Sequence, residues 1–152
     1  MKKQTMTMVV VAIVALASAS CSTVGSDRIV PVPKDSDLAA FSAVNVSGPI
    51  DVELLHGDDY DLRVTANENF AEDIEVAGLS GELSISFRGY ERILLLTTVP
   101  KRNVKITAII TMPDLEGVTI RHGGELEVSE FPELAALSLS AVHGATIEGA
   151  FE

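Results

Sequence analysis

One cysteine, no tryptophan and two tyrosines in 152 residues leave this chain short of several kinds of chemistry. With Cys21 alone no intramolecular disulfide can form, so the fold must be held by burial. Tyr60 and Tyr90 as the only tyrosines make aromatic platforms for sugar stacking sparse. Basic residues are scarce as well, 11 against 22 acidic ones. Outside the first twenty residues, and beyond the short Lys101-Arg102 pair, they form no basic stripe, which argues against nucleic acid as a partner and against electrostatic attachment to anionic lipid. Catalytic signatures are missing too: there is no Gly-x-Ser-x-Gly elbow, no His-Glu-x-x-His pair and no glycine-rich phosphate loop opening a helix. The acids alternate outward on strand-like segments instead of pairing in a desolvated cleft. The chain therefore reads as non-enzymatic, with no cofactor and no resident metal.

What is present begins with a leader. Lys2 and Lys3 precede an apolar run from Met6 to Ala17, shorter than the roughly 20 residues a spanning helix needs. Ser18, Ala19 and Ser20 then lead to Cys21. This resembles a bacterial lipoprotein signal, with residues 1–20 removed and Cys21 acylated as the mature N-terminus. Ser18 stands where such signals usually carry leucine, so the alternative is ordinary secretion with cleavage near Ser20. Ser22 in place of aspartate resembles lipoproteins passed on to the outer membrane. Residues 21–39, rich in Ser, Pro, Asp and Lys, read as a flexible tether.

From Phe41 the period-2 alternation of strands takes over. Val44 and Val46 precede a Ser47-Gly48-Pro49 corner, after which Ile50, Val52 and Leu54 alternate with Asp51 and Glu53. The acidic turn at 56–59 and the alternating Tyr60, Leu62, Val64 and Ala66 suggest a hairpin. Asn67 to Ile74 suggests one or two helical turns capped by Asn67. Strands follow around Ile74–Val76, Leu83–Phe87 and Val104–Met112, and the unbroken Ile93–Leu96 run suggests a strand buried on both faces or, as the alternative, a hairpin edge guarded by Arg92 and Lys101. From Leu115 the text is written nearly twice: a shift of 19 residues sets Val118 on Leu137, Ile120 on Leu139, Leu126 on Ala145 and Val128 on Ile147. A strand pair so short cannot bury its own face, which predicts stacked copies.

The runs FSAVNVSGPIDVELLHGDDYDLRVTANENFAEDIEV, GELSISF and VKITAIITMPDLEGVTI resemble the head GIN domain, a family also described as "putative auto-transporter adhesin". The resemblance covers residues 40–152. Its most specific pieces are Val46-Ser47-Gly48 before Ile50-Asp51-Val52, the Ala66-Asn67-Glu68-Asn69 step, and Met112-Pro113. It implies an all-β fold, a right-handed β-solenoid of short stacked strands with one short helix at most, in a secreted or lipid-anchored envelope protein. It implies no catalytic activity. Relatives tend to show Gly-Ser-Gly at the repeat corners, where this chain has Arg121-His122-Gly123-Gly124 and Val142-His143-Gly144. Relatives also usually continue past the position of Glu152, which suggests an uncapped end, with either end-to-end self-association or a shortened version of a longer protein as the consequence.

The expected function is a non-enzymatic cell-envelope lipoprotein, anchored in the outer membrane through Cys21 and presenting a binding surface to a protein or glycan, that is, an adhesin of unknown ligand. The alternative is a periplasm-facing structural or envelope-stress lipoprotein without adhesive role. Candidate surface residues are the outward Asp51 and Glu53 and the turn carboxylates Asp58, Asp59 and Asp61. The last three lack the six to eight oxygen ligands calcium asks for and read as a solvated turn. His122 and His143, with Glu125 as a third partner, could in principle meet a metal, but turn histidines on a solvated corner are the simpler reading.

Overall fold

The alternating segments fold as strands because each supplies one apolar and one polar face, and two such faces close on each other. The computed structural model describes residues 25–33, 39–89, 103–129, 131 and 136–149. Among these lie β1 (Ile29–Pro31), β2 (Ala43–Ser47), β3 (Asp51–His56), β4 (Asp61–Asn67), β5 (Ile74–Leu79), β6 (Glu82–Phe87), β7 (Ile106–Met112), β8 (Gly117–Arg121), β9 (Glu125–Val128), β10 (Ser138–Val142) and β11 (Thr146–Gly149). The Ile93–Leu96 strand expected from the sequence lies outside the described residues.

Two mixed sheets result. One has the order β1-β4-β7-β3-β9-β11, the other β10-β8-β2-β6-β5. In the first, β7, β3, β9 and β11 run parallel while β4 and β1 pair antiparallel. In the second, β10, β8, β2 and β6 are parallel and β5 closes an antiparallel hairpin on β6. Inward residues of both sheets form one apolar cluster, with Val46, Ile50, Leu54, Leu83, Ile85, Ile110 and Ile120 fully buried.

This corrects the expectation of a β-solenoid. The sheets are mixed and their strand order is not sequential: β7 enters between β3 and β4, and β6 takes the place beside β2. The predicted β3–β4 hairpin is therefore not formed. The 56–59 turn instead passes over the end of β7, where the Gly57 N–H donates to the Met112 carbonyl at 3.1 Å. β7 occupies the place between β3 and β4: it pairs parallel with β3 and antiparallel with β4, so both of its backbone edges are satisfied, and its Ile106, Ala108, Ile110 and Met112 face the core.

The repeat does stack, but in another register. Val118 pairs with Leu139, Ile120 with Ala141, Leu126 with Ile147 and Val128 with Gly149, a shift of 21 residues where 19 was expected. Both shifts keep the same faces inward because they differ by two. The corners decide between them. His122 and His143 both adopt positive φ, 69° and 57°, each followed by a positive-φ glycine, and a 19-residue shift would set these left-handed corners out of line. At Gly124 a Cβ would meet the carbonyl oxygen of Ile50 at 2.4 Å, so the corner of one strand pair seats on the next only without a side chain.

Two smaller expectations also change. The helical turn shrinks to one 3-10 turn, Ala71–Asp73, with Phe70 before it and no side-chain cap. Asn67 is buried and bonds elsewhere: its Oδ1 accepts from the Lys105 N–H at 2.6 Å and its Nδ2 donates to the Ser26 carbonyl at 2.5 Å. Those bonds draw in residues 25–33, where the composition suggested a tether; β1 pairs there along the edge of β4.

Burial falls toward the last pair of strands. Leu54 is fully buried, whereas Leu139 on β10 is 40% exposed. Leu54→Ala should cost about 3 kcal/mol and Leu139→Ala less than about 1 kcal/mol in urea unfolding. Equal costs would contradict this gradient.

Candidate functional site

The outward face of the six-stranded sheet follows from the same register that fills the inside. Because side chains alternate, the residues between inward Val52, Leu126 and Ile147 and their neighbours must stand in matching rows outside. Glu53 lies opposite Glu127, and Glu127 opposite Glu148, on three adjacent parallel strands. Neighbouring strands in a sheet are about 4.8 Å apart, so the three carboxylates form a ladder. All three are exposed. Asp51, Glu125, Thr107 and Thr146 flank the ladder, and together they line a shallow depression of about 280 Å³. No Lys or Arg occurs on β9, β10 or β11. Arg63, on β4, instead gives its Nε to its own near neighbour Asp61 Oδ2 at 3.1 Å.

Of the residues expected to form a surface, Asp51 and Glu53 line this depression. Asp58 and Asp59 stand apart on the turn after β3, and Asp61 opens β4. The expected set is thus split between two places. Glu127 and Glu148 were missed, and Glu125 was singled out only as a third partner for the two histidines. The signal that could have found them is the His-Gly step: aligning His122 on His143 aligns Glu127 on Glu148. Cys21 lies outside the described residues.

The corner histidines do meet. Their rings stack with centroids 5.1 Å apart and planes 6° from parallel, and Ser47 Oγ lies 3.2 Å from His122 Nδ1. Stacking brings ring faces together, which does not aim two nitrogens at one point. Among the described residues no group of three or more His, Cys, Asp or Glu side chains is arranged to hold a metal ion.

Residues 40–152 match the family model described as "Putative auto-transporter adhesin, head GIN domain". The chain belongs to this family. No curated relative matches it. Among solved structures, the domain is similar to a "putative lipid binding protein" from Parabacteroides distasonis at TM-score 0.59 and 13% identity, over 82% of this chain and 53% of that one. It is also similar to a "putative adhesin" from Bacteroides fragilis at TM-score 0.52 and 16% identity, over 84% of this chain and 58% of that one. A "putative adhesin" from Parabacteroides merdae gives TM-score 0.52 and 13% identity, with 81% and 57% covered. At such identities the likeness is one of fold. The chain spans little more than half the length of these structures. Among the described residues no helix is long and apolar enough to cross a membrane.

Three like charges in direct register oppose folding. Glu127→Gln, in the middle of the ladder, should raise stability by roughly 0.5 kcal/mol at low salt, and added NaCl should shrink the difference through screening. Destabilisation by this change, read from urea unfolding at two salt concentrations, would contradict the repulsive ladder.

Proposed function

We propose that this chain is a lipid-anchored protein of the bacterial outer membrane, acylated at Cys21, that binds a basic segment of another envelope or surface protein along the acidic ladder of its six-stranded sheet. The observation that carries the reading is the row Glu53, Glu127 and Glu148 with Asp51 and Glu125 beside it on a regular sheet face. Evenly spaced carboxylates without basic neighbours on their own strands offer sites to an extended chain bearing Lys or Arg, and such complementarity sets specificity and association rate. A glycan partner is less well served, since the chain has two tyrosines and no tryptophan to stack on sugar rings. The leader and the cysteine at its end supply the anchor, and Ser22 supports transfer to the outer membrane. Asp58 and Asp59, on their own turn, take no part in the ladder.

The test is the binding of a fluorescent oligolysine peptide to the mature chain, read by anisotropy. The triple variant E53Q/E127Q/E148Q should bind about tenfold more weakly, or roughly 1.4 kcal/mol, whereas D58N/D59N should bind like the parent. Equal losses in both variants would reduce the effect to net charge and sink the ladder as the site.

A further inference from the structure

We propose that the end of the domain formed by β1 and β5 faces the bilayer and that the acidic β9–β11 end faces away, an orientation set by docking of the N-terminal arm. This rests on the reading of Cys21 as the acylated residue. The arm is fastened within a few residues of that cysteine. Gly25 is buried, and a side chain there would collide with the Asn103 carbonyl oxygen and with Asn67. The Ser26 N–H donates to Asn69 Oδ1 at 2.9 Å, and the Ser26 carbonyl accepts from Asn67, which is 1% exposed. The Glu68 N–H donates to the Arg28 carbonyl at 2.8 Å, and Arg28 Nη1 meets Glu68 Oε1 at 3.0 Å. Beyond β1 the Val32 N–H continues the ladder to the Val64 carbonyl at 2.8 Å. Even fully extended, the four steps from Cys21 to Gly25 span at most about 14 Å. The lipid is therefore close to the edge where β1 lies.

That edge is one end of the molecule. β7, β4 and β1 extend one sheet, and β6 and β5 the other, on the same side of the β2–β3 pair; β8 to β11 lie on the opposite side. Five interstrand steps of about 4.8 Å set β11 roughly 24 Å from β1. Exposed apolar side chains occur at both ends, Ile29 at 45% and Leu79, at the tip of the β5–β6 turn, at 79% near the anchor, and Leu139 at 40% and Val142 at 37% on β10. Three acidic side chains near the anchor are paired, Glu68 with Arg28, Glu75 with Arg88 and Asp61 with Arg63, while Asp27, Glu72, Asp73 and Glu82 add further carboxylates and Lys105 a further cation. On the far side β9 and β11 carry Glu125, Glu127 and Glu148 with no basic residue of their own, and Arg121 ends the neighbouring β8. The consequence for function is that the ladder is held toward partners and off the lipid.

The experiment uses the full chain, made in a bacterial host, purified in detergent and reconstituted into phosphatidylethanolamine–phosphatidylglycerol vesicles containing a headgroup nitroxide lipid. L79C and S138C, both at exposed positions, receive an environment-sensitive fluorophore. Quenching should be several-fold stronger at position 79 than at 138, and inserting a Gly-Ser linker of about twelve residues after Thr23 should abolish the difference. Equal or reversed quenching in acylated protein would overturn the orientation while leaving the anchor intact. Absence of an acylated Cys21 peptide in mass spectra would sink the anchoring reading, and the orientation with it.

Discussion

Parallel pairing of three corner-linked strand pairs, in one register, is the constraint on which the rest of the domain depends. Val44, Val118 and Leu139 form one inward row, Val46, Ile120 and Ala141 the next, and Val52, Leu126 and Ile147 a third in the other sheet. A slip of one residue anywhere would turn these rows to water and bring the carboxylates inside, at a cost of several kcal/mol for each unpaired charge. A slip of two would keep the faces but misalign the left-handed corners. Gly124 and the stacked His122 and His143 are thus parts of the registration as well as turn residues. The core and the outer ladder are consequences of a single alignment.

That coupling explains why an electrostatically unfavourable row can persist. Each inward Leu or Val buried in the stack is worth roughly 1.5–3 kcal/mol, against a fraction of that for a pair of exposed like charges. The aliphatic rows set the register and the carboxylates follow. The balance weakens toward the outermost described strands, where β10 and β11 are largely exposed and local opening should come most readily. At the other end the β5–β6 hairpin, with Ser80 and Gly81 both at positive φ, and the docked β1 cover the stack. The two ends therefore differ in how they are covered.

Much of this was legible in the residues. Alternation placed strands around Val44–Val46, Val52–Leu54, Leu62–Ala66, Leu83–Phe87 and Ile106–Met112, because period 2 is a local property. Which strands become neighbours is not local, and there the reading failed. Val52–Leu54 and Leu62–Val64 look like a hairpin across a short turn, yet both give their ladder to β7, more than 40 residues further on. Asn67 looked like a helix cap because its side chain can serve either role; only the arrival of Ser26 and Lys105 decides that it is a buried clamp. The outer site was half legible for the same reason. Asp51 and Glu53 could be placed outward from their own strand, while Glu127 and Glu148 join them only once the 21-residue register is known.

Nuclear Overhauser contacts between adjacent strands of the repeat test the register most directly. The account predicts backbone contacts from Thr119 to Ser140 and from Glu127 to Glu148, with matching contacts from Thr119 to Asn45. Contacts joining Thr119 to Ser138 and Glu127 to Thr146 would show the 19-residue register instead, and both the aliphatic rows and the acidic ladder described above would have to be redrawn.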